Sequence, residues 1–235
     1  MSAALITGLW GGLLALERRA FLQAALSRPL PAAVGVGVML GDVQAGLMVG
    51  LVFELFHLGG ASLGLASSEH ELLPSVAGAA LAATMAEAAG ADSTPAQWVL
   101  AVLVCAPLGL VGRAVEVRLD TRAARYLGRV VTAVDHGDVQ RALRQNLRAM
   151  WPHFAFFGLC AAVAPLLGPS LALLVERAPV RLLHGLEWCY PVLGTVAAAS
   201  AVYASAGQGR LRVAGAAALL VALVLFAALG ARSWS

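Results

Sequence analysis

Apolar residues run through this chain in long blocks, separated by few polar positions. Uncharged stretches cover 93–112, 149–175, 188–209 and 213–231. Each is close to or above the ~20 residues that cross a bilayer as helix. An opening apolar run covers 3–16, and a shorter one covers 72–86 and stops at Glu87. Between Pro29 and Ser68 the pattern changes. Two charges, Asp42 and Glu54, together with His57, interrupt this stretch, and the charges cut it into pieces of 13, 11 and 14 residues. No piece alone makes a straight crossing. Gly35, Gly37, Gly41, Gly46, Gly50, Gly59, Gly60 and Gly64 punctuate them. Short, glycine-interrupted apolar segments predict broken or re-entrant helices, whose freed backbone groups face protein or a water-filled cavity. The spacings Gly37–Gly41 and Gly46–Gly50 fit close packing of membrane helices.

Residues 113–148 are the polar exception, with eight Arg and four acids. Val115, Leu119, Tyr126, Leu127, Val130, Val131 and Val134 recur at three- and four-residue steps, the period of an amphipathic helix. Asp135-His136-Gly137-Asp138 predicts a turn, with Asp138 as N-cap of a second helix through Leu143 and Leu147. A helical arm at the interface is the simplest reading; an arm that packs on other subunits or receives a soluble partner is the functional one. The whole predicts an all-α polytopic membrane protein in one unit. Its N-terminal part, 1–112, holds the broken helices, 113–148 is the amphipathic arm, and 149–235 supplies C-terminal transmembrane helices.

Composition agrees and narrows the class. Of 235 residues 60% are hydrophobic and 12% charged, with mean hydropathy +0.82. Soluble domains carry about 25% charged residues, so an ordinary soluble enzyme and a disordered chain are both excluded. The 16 basic residues are all Arg. GC-rich bacterial coding explains that bias, so the net charge of +3 implies no nucleic-acid partner. The Arg-rich arm favours the cytoplasmic side, although Arg177, Arg181, Arg210 and Arg212 also sit in loops. Cys105, Cys160 and Cys189 lie in apolar stretches without metal-type spacing and read as small buried residues. No basic region precedes the first apolar run, which predicts a retained membrane segment rather than a cleaved signal. No nucleophile triad, phosphate-binding glycine loop or metal box stands out, so neither catalysis nor a cofactor is expected of this chain.

The polar residues inside apolar segments carry the functional signal. A carboxylate in hydrocarbon costs several kcal/mol unless it is paired, protonated or facing water. Asp42 is either such a group or a turn residue beside Gly41. Glu54 is either a site carboxylate or a structural hydrogen-bond partner of nearby backbone. His57 follows Glu54 at i,i+3, on one helical face, and is either a packed histidine or a site member. Gln23, after Glu17-Arg18-Arg19, has an amide suited to a neutral polyol or is a surface residue. Glu69 lies in Ser67-Ser68-Glu69-His70-Glu71, a solvated loop or a site wall. These five, Gln23, Asp42, Glu54, His57 and Glu69, form the candidate substrate set.

The stretch SRPLPAAVGVGVMLGDVQAGLMVGLVFELFHLGGASLG, residues 27–64, resembles the N-terminal signature of the IIC component of mannose/sorbose-type phosphotransferase systems. The matching features are Arg28-Pro29, Leu40-Gly41-Asp42 with Gly46 and Gly50, and Glu54 with Leu58-Gly59; Gln23 is similar to a Gln that precedes the Arg-Pro. A weaker likeness extends through HGLEWCYPVLGTV at 184–196. The resemblance implies a permease subunit of a bacterial inner membrane, paired with a IID membrane subunit as a trimer of IIC–IID heterodimers. Soluble IIA and IIB proteins then relay phosphate, IIB phosphorylates a neutral hexose-like sugar, and the phosphorylated histidines belong to those partners. It also implies Gln23, Asp42 and Glu54 as sugar contacts. Two departures stand out: Ser67–Glu71 replaces an Asp or Asn with Pro, and Glu17 stands where relatives often have Asp. A transport-inactive regulatory or sensory protein of the same fold, and an ion-coupled secondary transporter using Glu54, are the alternative readings.

Overall fold

The structure is a computed structural model that describes residues 2–19, 24–61 and 70–205, with backbone alone at 59–61 and 203–205. Gln23, Glu69 and the apolar run 213–231 lie outside the described residues. Nine α-helices appear among the described residues, and no strand. They are α1 (Ala3–Glu17), α2 (Pro29–Leu40), α3 (Val43–Ala61), α4 (Leu72–Ala89), α5 (Pro95–Cys105), α6 (Pro107–Asp135), α7 (Val139–Val163), α8 (Gly168–Glu176) and α9 (Val180–Ser205). A 3-10 turn, Ala164–Leu167, joins α7 to α8.

Helix α4 is the axis of the molecule. Every residue from Leu72 to Ala86 is buried, because six alanines and Gly78 let the neighbours approach closely. On one side α3 and α5 close over Val49, Phe53, Leu81 and Trp98. On the other, α1, α2 and α7 close over Leu14, Val36, Val76 and Phe157. Large apolar side chains such as Leu5, Leu103, Leu110 and Leu159 point outward, as expected where the solvent is lipid. Three helical runs among the described residues are long and apolar enough to cross a membrane: Leu72–Ala89, Pro95–Asp135 and Val139–Glu176.

The first half holds shorter pieces. Helix α2 has 12 residues, about 18 Å at 1.5 Å per residue, well short of a ~30 Å hydrocarbon core. It stops at Gly41, whose φ of +83° is left-handed backbone that suits glycine. The chain then reverses, and Asp42 Oδ1 accepts from the Ala45 N–H at 2.8 Å to open α3. Asp42 thus occupies the turn, beside a glycine that ends a helix rather than packing one. Gly46 and Gly37 do pack: a Cβ at Gly46 would stand 2.5 Å from the Ala33 carbonyl, and one at Gly37 2.5 Å from the Asp42 carbonyl. The α2–α3 hairpin therefore meets backbone to backbone.

The arm is a hairpin of α6 and α7. The turn falls at His136–Asp138, and the Asp138 carboxylate accepts from the Arg141 N–H at 2.8 Å. Both helices continue into the body without a break. The first two turns of the polar interval lie against that body, with Glu116 only 3% exposed and Leu119 buried. Helix α9 is tied in by Tyr190, whose hydroxyl donates to the Met48 carbonyl at 3.0 Å and whose ring meets Trp98 edge-on. Of the cysteines, Cys105 is buried and Cys189 is exposed; the apolar setting of Cys189 faces outward, not into the core.

Candidate functional site

Helix ends converge at the arm end of the bundle, where most of their polar residues form one network and Arg28 and Glu54 form a separate pair beside it. Helix α1 ends in Glu17, Arg18 and Arg19; α2 begins after Arg28; α3 carries Glu54 and His57 towards its end; His70 and Glu71 precede α4. Arg18 pairs with Glu71 at 2.6 Å, and His57 Nδ1 lies 2.9 Å from the same carboxylate. Arg19 holds Glu116 at 2.7 Å and also pairs with Asp120. Arg113 reaches Glu116 from one turn earlier at 3.1 Å. His153 Nε2, on α7, lies 3.2 Å from Asp120. His70 stacks on Phe157, with centroids 4.1 Å apart and planes 12° off parallel.

Burial sets the energetics. A lone charge here would be untenable, but the buried carboxylates Glu54, Glu71 and Glu116 each have at least one cationic partner, which offsets their desolvation, while Glu17 accepts the Ser27 N–H at 3.0 Å. Burial alone would raise the Glu71 carboxyl; the His57 hydrogen bond and the Arg18 guanidinium overcome it and hold Glu71 well below the usual carboxylate range. Burial pushes His70 down to about 4 against the pull of Glu116, so its ring is neutral near pH 7. The result is a cluster of fixed carboxylates, guanidinium groups and a neutral imidazole. It offers hydrogen-bond donors and acceptors to polar groups inside an otherwise apolar bundle.

The sequence candidates are distributed unevenly over this site. Glu54, buried on α3, pairs through Oε1 with Arg28 and accepts the Leu30 N–H at 3.2 Å through Oε2. It thereby covers the positive N-terminal end of α2, where Pro29 sits at the first position. His57 turns instead to Glu71, so the two residues serve different partners on neighbouring faces. Asp42 stands at the opposite end of α3, twelve residues from Glu54, or about 18 Å along the axis. The structure does not bring Asp42 and Glu54 together. The Asp42 Oδ2 atom is buried without a hydrogen-bond partner among the described residues.

Several members escaped the sequence reading. The stretch Ser67–Glu71 reads as a solvated loop or a site wall, and the structure buries His70 and the Glu71 side chain in the network. Glu116 and Asp120 were read as part of an interfacial arm, yet Glu116 is buried in the body. The available signal was the Arg18-Arg19 pair placed directly after an apolar helix. Two cations at that depth need anions, and Glu116 and Asp120 share a face at i,i+4.

The fold and site define a helical, multi-pass membrane protein with a polar cluster enclosed at one end. The sequence profile of the sorbose-specific IIC component of the phosphotransferase system matches residues 1–203. The chain therefore belongs to this family of sugar phosphotransferase membrane subunits. Among curated proteins none matches the chain. A solved structure described as "Structure of membrane protein" is similar over 99% of this chain and 92% of its own, with a TM-score of 0.63 and 19% identity. That likeness concerns the fold.

Proposed function

We propose that the chain is the IIC subunit of a working sugar permease in a bacterial inner membrane. It pairs with a IID membrane subunit, as a trimer of heterodimers, and the sugar that crosses is phosphorylated at the inner face by a IIB protein supplied by IIA. The arm, with its Arg-rich tip, lies on the cytoplasmic side and receives the soluble partner.

The observation that carries this reading is the position of Glu54. It is buried within the bundle, yet its partner Arg28 is 45% exposed at the side chain. A sugar with adjacent hydroxyl groups can exchange with Arg28 on the same carboxylate, because a carboxylate accepts paired hydroxyls as it accepts a guanidinium. His57 stands one turn away with Glu71 behind it. Gln23 and Glu69 belong to the segments that join these same helix ends. Asp42 serves a different stage of passage, at the far end of the hairpin.

One observation favours the transport-inactive alternative: both Glu54 oxygens are already engaged, by Arg28 and by the Leu30 N–H. Uptake by the wild-type chain, expressed with IID, IIA and IIB proteins, separates the readings, and a Glu54→Gln variant then tests the carboxylate. The permease reading expects uptake to fall roughly tenfold or more, about the loss of one charge-assisted hydrogen bond, with assembly of the complex unchanged. Wild-type uptake by Glu54→Gln removes Glu54 from the sugar path.

A further inference from the structure

Helix α7 carries a second, separate feature on its outer side. Arg141, Arg144, Gln145 and Arg148 line a small polar pocket of about 200 Å³ on the arm, between its turn and the body. Among the described residues none of the three guanidinium groups has a carboxylate within ion-pair distance. The Gln145 Oε1 atom is buried there without a hydrogen-bond partner among them. One turn further along, a groove of about 480 Å³ opens between α1 and α7, lined only by apolar residues. It runs from Trp151 at the arm end to Ala4 and Ala162 at the other, over a floor that includes Gly158.

The two features share helical rows. Residues 141, 148, 155 and 162 follow one another at seven-residue steps, and so do 144, 151 and 158, which keeps them on one side of the helix. Arg148 and Trp151 are three residues apart, about 4.5 Å along the axis. Trp151 is 64% exposed and sits where the polar and apolar parts meet, the usual level of a tryptophan at a membrane surface. A cationic pocket directly above an apolar channel, with an amphipathic ring at the junction, is complementary to an anionic amphiphile. It has no such complementarity to a zwitterionic lipid, or to a second apolar helix that would leave three arginines unpaired.

We infer that α7 and α1 form a binding site for one anionic glycerophospholipid. Its phosphate pairs with the guanidinium groups of Arg144 and Arg148, with Arg141 at the rim. A headgroup hydroxyl donates to Gln145, and one acyl chain lies in the α1–α7 groove. Basic pockets on the cytoplasmic side of membrane helices hold anionic headgroups by this chemistry. The site lies outside the buried charge network, so occupancy ties the α7 side of the arm to the bilayer without entering the sugar path.

The test is native mass spectrometry of the detergent-purified protein, in complex with its membrane partner, after incubation with phosphatidylglycerol or phosphatidylcholine. Retention of phosphatidylglycerol under conditions that strip phosphatidylcholine is expected. The double substitution Arg144→Gln/Arg148→Gln should weaken that retention roughly tenfold or more, and Arg144→Lys/Arg148→Lys should keep most of it. Ala155→Trp, which fills the groove, should abolish retention of the lipid while the circular dichroism stays unchanged. Equal retention of both lipids overturns the proposal. So does loss in the Arg-to-Gln variant with full retention in Ala155→Trp, which would leave an anion site open to inorganic phosphate and no lipid groove.

Discussion

Glu116 shows how a single side chain can be decisive in this molecule. It is an acid on an amphipathic helix, 3% exposed, and it receives Arg19 and Arg113 while facing Arg18 and His70. Removing its charge takes the anion from Arg113 and one of two anions from Arg19, both partly buried, which costs on the order of 1–3 kcal/mol. Glu116→Gln should therefore lower the thermal unfolding midpoint of the purified protein by several degrees. Substitution of the exposed Arg129, whose guanidinium lies over the Tyr126 ring, should leave it nearly unchanged. His70 gives a pH signature. Its folded value, about 4, lies below the ordinary 6.5. The unfolded chain then binds the proton first, and stability rises with pH between those values. Acidification from pH 6.5 to 4.5 should reduce the midpoint, and His70→Gln should flatten that interval. Glu71, held below the usual range, adds its loss only at lower pH. A wild-type midpoint that stays level from pH 6.5 to 4.5 would contradict the buried, neutral His70.

Elements were more legible than sites, for physical reasons. The reversal at Gly41-Asp42 and the cap at Asp138 follow from local chemistry: a left-handed glycine, and a carboxylate within reach of a free N–H. Those signals act over four residues, and the sequence displays them directly. The arm's period was equally visible in Val115 through Val134. Where α6 leaves the body was not, because that depends on Arg18 and Arg19, about a hundred residues earlier, finding Glu116 and Asp120. The glycines of the hairpin divide in the same way. Gly41 serves a turn, whereas Gly46 lets two helices touch. Gly46→Val should force Ala33 away and cost about 1–3 kcal/mol through overpacking. Gly185→Ala, at a helical position with open space around the missing Cβ, should be neutral or slightly stabilising. Equal effects of the two substitutions, measured by unfolding in detergent, would contradict the backbone contact between α2 and α3.

At the scale of the whole molecule, a small-residue axis, α4, holds two half-cores, and the ends of four helices meet beside the arm. Of the candidate set, Glu54 and His57 lie at the edge of the enclosed charge network. Asp42 lies at the far end of the hairpin, and Gln23 and Glu69 are outside the described residues. Two carboxylates twelve residues apart in one apolar stretch look alike in sequence; only the direction of the helix separates them by about 18 Å. Family membership makes this a membrane subunit of a sugar phosphotransferase system, for which sugar passage is the proposed role. The direct test is phosphoenolpyruvate-dependent accumulation of a panel of labelled sugars in a host lacking its own permeases. That host expresses this chain together with the IID, IIA and IIB proteins proposed as its partners. One sugar should accumulate as its phosphate, and accumulation should stop when this chain is omitted. Failure of every sugar to accumulate, with the assembled complex demonstrated in the membrane, would contradict it.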